Sequence, residues 1–213
     1  MFTGIVQTKA TVVSISGDDS FKTICLSVGR EHLERLTIGA SIAINGCCLT
    51  VTKFETQMND VVGQVYFDVI DESLQKTNLG KLRQGSLVNF ERSVTFGTEI
   101  GGHIVSGHIH ATAKVIKSES HGSNWIMTLE LSPKWMKYVL HKGFVSVNGC
   151  SLTVGDVTES TFNLHLIPET MNITNLGEYV PGDEINIEVD QQTYTTVQTV
   201  ERYLKSINKN LPV

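Results

Sequence analysis

Short runs rich in Val, Ile, Thr and Phe recur along the chain at residues 11–15, 23–28, 41–44, 48–54, 65–70 and 87–90, separated by Gly, Asn and Asp. Within them apolar and polar positions alternate with a period of two. At that length this predicts β-strands with one buried face rather than helices. Only residues 31–36 and 133–140 look helical inside the body of the chain, each about two turns long and fit only to cap the end of a sheet. After Asp190 the period changes: Val197, Val200, Leu204 and Ile207 are spaced three, four and three. That spacing predicts a C-terminal helix with a seam about two heptads long, and Leu at an a position followed by Ile at d leans toward three or more helices. The same stripe would also suit a helix laid on its own domain.

The strand pattern is written twice. A shift of 103 residues places Gly4 on Gly107, Asn45-Gly46-Cys47 on Asn148-Gly149-Cys150, and Leu49-Thr50-Val51 on Leu152-Thr153-Val154. Beyond the loop at 56–63, where the first copy carries six extra residues, the shift is 97. Glu72 then meets Glu169, Thr77-Asn78-Leu79-Gly80 meets Thr174-Asn175-Leu176-Gly177, and Asn89 and Glu91 meet Asn186 and Glu188. Order and spacing kept over two blocks mark an internal duplication. About six strands per copy are too many for an uncovered open sheet, and closing each copy into a small barrel removes the edges. The expected fold class is therefore all-β: two tandem six-stranded Greek-key barrels with a C-terminal α-helix. The expected bounds are 1–103 for the first barrel with its linker, 104–190 for the second, and 191–213 for the helix and tail. A single sandwich of both repeats is the alternative. Asn-Gly before each Cys-x-Leu-Thr-Val segment suits a tight hairpin turn.

Composition removes several function classes. With 22 acidic and 17 basic residues the net charge of −5 is spread without basic clusters, which argues against a nucleic-acid partner. No run of about 18 apolar residues and no signal-like N-terminus is present, so neither a membrane nor export is expected and the chain reads as cytoplasmic. Four cysteines, at 25, 47, 48 and 150, lack metal or disulfide spacing. Among His103, His108 and His110, two share a strand face, but no standard ligand set completes a zinc site. The glycine-rich stretch 97–107 has no Gly-Lys-Ser/Thr ending and no following helix, so it does not read as a phosphate cradle.

Polar residues kept in both copies suggest two similar pockets. Cys48 and Thr50 lie on one strand face, as do Ser151 and Thr153, and each pair offers hydrogen-bonding groups to the edge of a flat heterocycle. Half-buried strands favour such residues for structural reasons alone, so both readings stand. The copies differ where His108 replaces Ile5 and Lys142 replaces Gly39. One acid/base centre serving two bound molecules would look this way.

Met1-Phe2-Thr3-Gly4-Ile5-Val6, Asn45-Gly46-Cys47-Cys48-Leu49-Thr50-Val51, Ile100-Gly101-Gly102-His103, Ser106-Gly107-His108, Lys142-Gly143, Gly149-Cys150-Ser151-Leu152-Thr153-Val154 and Leu166-Ile167-Pro168-Glu169-Thr170 together resemble riboflavin synthase of the α-chain type, the lumazine-binding duplicated-barrel family. The similarity runs from residue 1 to about 203. It implies a homotrimer held by packed C-terminal helices. Two molecules of 6,7-dimethyl-8-ribityllumazine would meet between the first barrel of one subunit and the second barrel of its neighbour. A four-carbon unit would pass between them, giving riboflavin and 5-amino-6-(ribitylamino)uracil without a metal or redox cofactor. Lumazine synthase is an implied candidate partner. Carried over by position, the rings would be bound by Gly4, Ile5 and Val6, by Cys48, Leu49 and Thr50, by Gly107, His108 and Ile109, and by Ser151, Leu152 and Thr153. The ribityl chains would fall to Asp68, Val69, Ile70, Asp71, Glu72 and Ser73, to Lys142, and to Leu166, Ile167, Pro168, Glu169, Thr170 and Met171. The resemblance gives His108 the proton of the 7-methyl group, with Cys48, Ser41 and Ser151 assisting addition at the ring or orienting water. Asn148 departs from the Asp common in the family, and Asp71-Glu72-Ser73 from Pro-Glu-Thr. A non-catalytic lumazine- or flavin-binding antenna protein shares the same duplicated fold and is the alternative function.

Overall fold

The computed structural model describes residues 1–56 and 61–209, without the side chains of residues 121, 208 and 209. The centre of the loop expected at 56–63 and the end of the expected tail, residues 210–213, lie outside the described residues. In the first copy the strands are β1 (Thr8–Gly17), β2 (Phe21–Gly29), β3 (Ser41–Ile44), β4 (Cys47–Glu55), β5 (Val62–Ile70) and β6 (Leu87–Arg92). They close into an antiparallel barrel in the order β1-β2-β5-β4-β3-β6. β2 pairs with β5 rather than β3, so the chain steps over the β3–β4 hairpin in a Greek-key connection. The second copy, β7 (Ala111–His121), β8 (Asn124–Glu130), β9 (Phe144–Val147), β10 (Cys150–Val157), β11 (Thr161–Leu166) and β12 (Glu184–Val189), closes in the same cyclic order. Two barrels, each with its own core, replace the alternative of one sandwich.

Alternation builds each core. Ile24, Leu26 and Val28 on β2, Leu49 and Val51 on β4, and Val65, Phe67 and Val69 on β5 all point inward and are at most 6% exposed. Each such side chain contributes roughly 1.5–3 kcal/mol on burial. The intervening residues face out, and that outer surface carries the functional positions described below.

The barrels meet across a pseudo-two-fold axis. Asn45 and Gly46 have φ of 46° and 78°, and Asn148 and Gly149 have 46° and 81°, as a two-residue hairpin with positive φ at both positions requires. The two turns touch back to back: a Cβ on Gly46 would stand 2.5 Å from the Gly149 nitrogen, and one on Gly149 2.8 Å from the Gly46 nitrogen. Around them lie six buried asparagines in three equivalent pairs. The Asn78 amide N–H donates to Asn186 Oδ1 at 2.7 Å, and that of Asn175 to Asn89 Oδ1 at 2.6 Å. Asn89 Nδ2 donates to the Asn148 carbonyl and Asn186 Nδ2 to the Asn45 carbonyl, both at 2.9 Å. Asn78 Nδ2 donates to Asn148 Oδ1 and Asn175 Nδ2 to Asn45 Oδ1, both at 3.0 Å. Tyr179 breaks the symmetry, its hydroxyl accepting from Asn148 Nδ2 at 2.7 Å and Asn78 Nδ2 at 3.0 Å.

The helices differ from expectation. The helix expected at 31–36 is a 3-10 turn, Arg30–Leu33, and that at 133–140 shortens to α2 (Pro133–Met136). α1 (Asp71–Lys76) and α3 (Pro168–Ile173) were not expected; they are six-residue links leading into the 3-10 turns that carry Asn78 and Asn175. α4 (Gln191–Lys209) starts where Asp190 accepts from the Thr193 amide and hydroxyl at 2.8 and 2.7 Å, an N-cap. Tyr194 and Val197 of α4 pack on the second barrel, with Trp135, Tyr138 and His110 closing an aromatic cluster. Val200, Leu204 and Ile207 of the expected seam stay 51%, 54% and 39% exposed. The helix thus lies on its own barrel by its first turns and presents the rest of its stripe outward. No helix among the described residues is long and apolar enough to cross a membrane.

Candidate active site

Strand parity sorts the ring-binding candidates. On β4, Cys47, Leu49 and Val51 face the core, whereas Cys48 and Thr50 face out. Ser41 pairs with Thr50 and Ala43 with Cys48 across the β3–β4 ladder, so Ser41 joins the same outer face. Val51 pairs with Phe67, which sets Asp68, the next outward residue of β5, on the strand beside Thr50. The second barrel repeats this face: Phe144 pairs with Thr153 and Ser146 with Ser151. Leu49, Val69 and Leu166 are buried in the barrel cores and Leu152 packs on one, which leaves them their main chain to offer a ligand.

The tertiary structure then exchanges the loops. One pocket per copy would set Gly4, Ile5 and Val6 beside Cys48, but these residues run across the axis to the second barrel. The Ser151 amide donates to the Gly4 carbonyl at 2.7 Å, and Val6 is buried in the second core. Reciprocally, the Cys48 amide donates to the Gly107 carbonyl at 2.8 Å, and Ile109 packs on the first core. Phe2 and Val105 pair where the two segments pass. Both crossing points require glycine: a Cβ on Gly4 would lie 2.6 Å from Ser151 Cβ, and one on Gly107 2.5 Å from Cys48 Cβ. His108, which follows Gly107 and is exposed, therefore belongs with Cys48, Thr50 and Ser41. Ile5, 47% exposed, belongs with Ser151 and Thr153.

Lys142 lies next to the Ser151–Thr153 face by its main chain. Its amide donates to the Val154 carbonyl at 2.9 Å, just past Thr153, as Gly39 donates to Val51 at 2.8 Å in the first barrel. Ile70 and Ile167, each 57% exposed, lead into α1 and α3. Asp71, Glu72 and Ser73 fill the first turn of α1; Pro168, Glu169 and Thr170 fill that of α3, followed by Met171, which packs on the second core. Asp68 accepts from the Thr23 hydroxyl at 2.7 Å.

Two histidines stand in these sites without having been singled out for them. His103 is 8% exposed; its Nδ1 lies 2.6 Å from Ser151 Oγ, and its ring stacks on Phe144 with centroids 5.3 Å apart. Burial pushes its pKa below the ordinary imidazole value, which keeps it neutral and able to share a proton with Ser151. Its sequence signal was the Gly-Gly-His run: a Cβ on Gly102 would stand 2.6 Å from Ser151 Cβ. His165 faces out on β11 at the place Asp68 holds on β5, and the shift of 97 residues pairs the two. His110, by contrast, sits in the aromatic cluster under α4. Among the described residues no group of three or more His, Cys, Asp or Glu side chains could hold a metal ion.

Asn148 lies on the axis rather than in the Ser151 site, its amide group spent on Tyr179, Asn175, Asn78 and the Asn186 amide. A cleft of about 460 Å³ opens beside that network between the two barrels, lined by Asn78, Asn175 and Tyr179. The two ring-edge sites are instead open outer faces, one on each barrel.

Comparison with known proteins places both copies. Residues 3–93 and 106–190 each match the lumazine binding domain. Riboflavin synthase of Escherichia coli (strain K12) is 47% identical over 207 residues, covering 96% of this chain and 93% of the relative. That of Bacillus subtilis (strain 168) is 34% identical over 210 residues, covering 99% and 93%. A crystal structure of LumP complexed with riboflavin superposes with a TM-score of 0.80 at 25% identity, covering 90% of this chain and all of that one. LumP complexed with 6,7-dimethyl-8-(1'-D-ribityl) lumazine, at 24% identity and a TM-score of 0.77, shares the fold. Both halves of the duplication are thus lumazine-binding domains, and the chain belongs to the riboflavin synthase family.

Proposed function

We propose that this chain catalyses the dismutation of two 6,7-dimethyl-8-ribityllumazine molecules into riboflavin and 5-amino-6-(ribitylamino)uracil. The observation that carries this reading is the pair of matched ring-edge sites, Cys48–Thr50 with Gly107–His108 on one barrel and Ser151–Thr153 with Gly4–Ile5 on the other. Identical substrates call for related sites, and unequal roles call for the differences found: a thiol and His108 in one, a hydroxyl, His103 and Lys142 in the other. The four carbons leaving one ring are gained by the other, so donor and acceptor balance without an outside oxidant. His108 moves the proton of the 7-methyl group, Cys48, Ser41 and Ser151 assist addition at the ring carbons, and Asp68, Lys142 and the starts of α1 and α3 bind the ribityl chains.

Both sites are open in one chain, and among the described residues Val200, Leu204 and Ile207 of α4 stay exposed. A homotrimer would answer both needs, bringing the first-barrel face of one subunit onto the second-barrel face of the next and holding the two rings for reaction by proximity. Such an enzyme would work in the cytoplasm, with lumazine synthase as a candidate partner. The alternative, a non-catalytic lumazine- or flavin-binding antenna, draws support from the likeness to LumP, which was solved with riboflavin and with the ribityllumazine bound, and one assay separates the two. Purified protein mixed with the dimethyl-ribityllumazine should generate flavin absorbance with no cofactor added. Tight binding without flavin would establish the antenna instead. In the same assay His108→Ala, checked for native assembly, should lose about a hundredfold or more in turnover, the usual scale of a proton-transfer group, and Cys48→Ser should lose activity as well. Full activity in both would remove their roles.

A further inference from the structure

Two carboxylates, Glu91 on β6 and Glu188 on β12, are buried at the junction of the barrels, 4% and 2% exposed. Charge in such a place costs heavily in lost hydration, so what each one holds is informative. Glu188 is fully engaged: Oε1 accepts from the Ser106 amide at 2.7 Å and its hydroxyl at 2.6 Å, and Oε2 accepts from the Gly107 amide at 2.9 Å. The other side of Gly107 is the carbonyl that accepts from Cys48. Gly107 is therefore gripped between a carboxylate of the second barrel and a strand of the first. His108 comes next in the chain, and its own amide donates to the Ser106 hydroxyl at 3.3 Å. Glu91 grips the other crossing segment less completely. Its Oε1 accepts from the Thr3 amide and hydroxyl at 2.7 and 2.8 Å, while the Gly4 amide faces the carboxylate without closing a full hydrogen bond to Oε2.

We propose that Glu188 is a positioning residue of the first-barrel site: reaching across from the second barrel, its carboxylate locks the Ser106–Gly107 turn and thereby sets His108 against Cys48 and Thr50. It acts through His108 and does not touch the reacting atoms. The proposal rests on the riboflavin synthase reading, since it assigns His108 its task. Burial holds the Glu188 carboxyl above the ordinary carboxylate value, against the pull of its Ser106 and Gly107 donors. The titratable groups facing it are His108 on the crossing segment and Cys47 on β4, with the neutral Ser146 beside it on β9. On acidification Glu188 gains its proton earlier than an ordinary glutamate would, and one of the acceptors holding the turn is lost. A group with a raised folded pKa favours folding most below its unfolded value and loses that contribution as pH rises through the folded value. Activity and stability governed by Glu188 therefore move in opposite directions with pH, which a merely structural role would not produce.

The test is a double-mutant cycle in the full-length protein. Glu188→Gln keeps the shape but turns an NH₂ toward the Gly107 amide. It should lower turnover by up to about a hundredfold, the order expected for a misplaced catalytic group, and should remove the acid limb of the pH profile. Placed on His108→Ala, the same change should cost less than about twofold, because partners acting as a unit are not additive. Equal losses in both backgrounds, or none in either, would overturn the proposal. Ser106→Ala, which removes one donor and leaves the carboxylate, covers the case in which Glu188→Gln does not fold; it should give a smaller loss with the same dependence on His108. Placement is also read without turnover: the NMR resonances of the His108 imidazole should shift in Glu188→Gln and hold in Glu91→Gln. If the wild type makes no flavin while His108 shifts, the reaction assignment fails and the positioning stands. If flavin forms while His108 is unmoved by Glu188→Gln, the positioning fails alone.

Discussion

Lys142 has φ of 62°, in a left-handed conformation that the first copy fills with Gly39 at 86°. A long side chain there costs about 1–2 kcal/mol, less the extra chain entropy a glycine would lose. Strain of this kind is kept where the side chain serves a site, and Lys142 stands at the rim of the Ser151–Thr153 face. Lys142→Gly should therefore raise folding stability by about 0.5–1 kcal/mol while weakening ligand binding. Thermal melts and a titration with riboflavin check both signs, and a variant that is both less stable and fully competent in binding would remove Lys142 from the site. Residue parity was legible in advance: Cys48 and Thr50 had to share a face, as did Ser151 and Thr153. In the sequence His103 stands out only as a zinc-ligand candidate and as part of a family motif, and His165 not at all, because a histidine in a strand or loop carries no signal of its site until its neighbour is known.

At the scale of elements, alternation located six strands of the first barrel and the three-four spacing located α4. The short helices α1 and α3 escaped because six residues cannot display a helical period, and neither has a side-chain cap to announce it. α4 itself is anchored by its first turns and by the ion pair of Lys137 with Glu201 at 2.6 Å. Its outward stripe of Val200, Leu204 and Ile207 should be the oligomer contact. Burying a leucine at such a contact is worth roughly 1.5–3 kcal/mol per subunit, so Leu204→Lys should shift the assembly toward monomer. Light scattering after gel filtration measures this, and turnover should fall with the loss of assembly while each barrel keeps its melting behaviour. A variant that stays assembled and active would mean that the stripe joins nothing.

At the scale of the molecule, the six asparagines and the two back-to-back turns weld the barrels into one body. Asn148 illustrates why an Asp there would not serve in this chain. Its Nδ2 donates to Tyr179 Oη and to Asn175 Oδ1 at 3.3 Å; a carboxylate could accept from the Tyr179 hydroxyl instead, but it would leave Asn175 Oδ1 without that donor and place a charge in a buried network. The Tyr179 hydroxyl is itself pushed up to about 12 by burial and so stays protonated. Asn148→Asp should destabilise the protein by about 2–3 kcal/mol at neutral pH, the scale of an unmet buried polar group. Denaturant unfolding would measure the loss, and an unchanged midpoint would show that the network tolerates charge. The effect on turnover should follow stability alone, because Asn148 lies on the axis and not in either ring-edge site.

The strands, the Asn-Gly turns and the C-terminal helix were legible in the amino-acid sequence because each depends on periods and residue types within about a dozen neighbours, and the duplication because order and spacing recur at shifts of 103 and 97 residues. Which copy each segment serves follows from the contacts of the folded chain alone. A repeat tells which residues are equivalent, and two equivalents exchanged across a two-fold axis leave every spacing in the chain unchanged. The crossing of Gly4–Val6 to Ser151 and of Gly107–Ile109 to Cys48, the grip of Glu188 on the turn before His108, and the pairing across the axis of asparagines 59 to 141 residues apart are contacts of that kind. They are set by the close approach of two glycine turns and by the need of buried amides and carboxylates for partners.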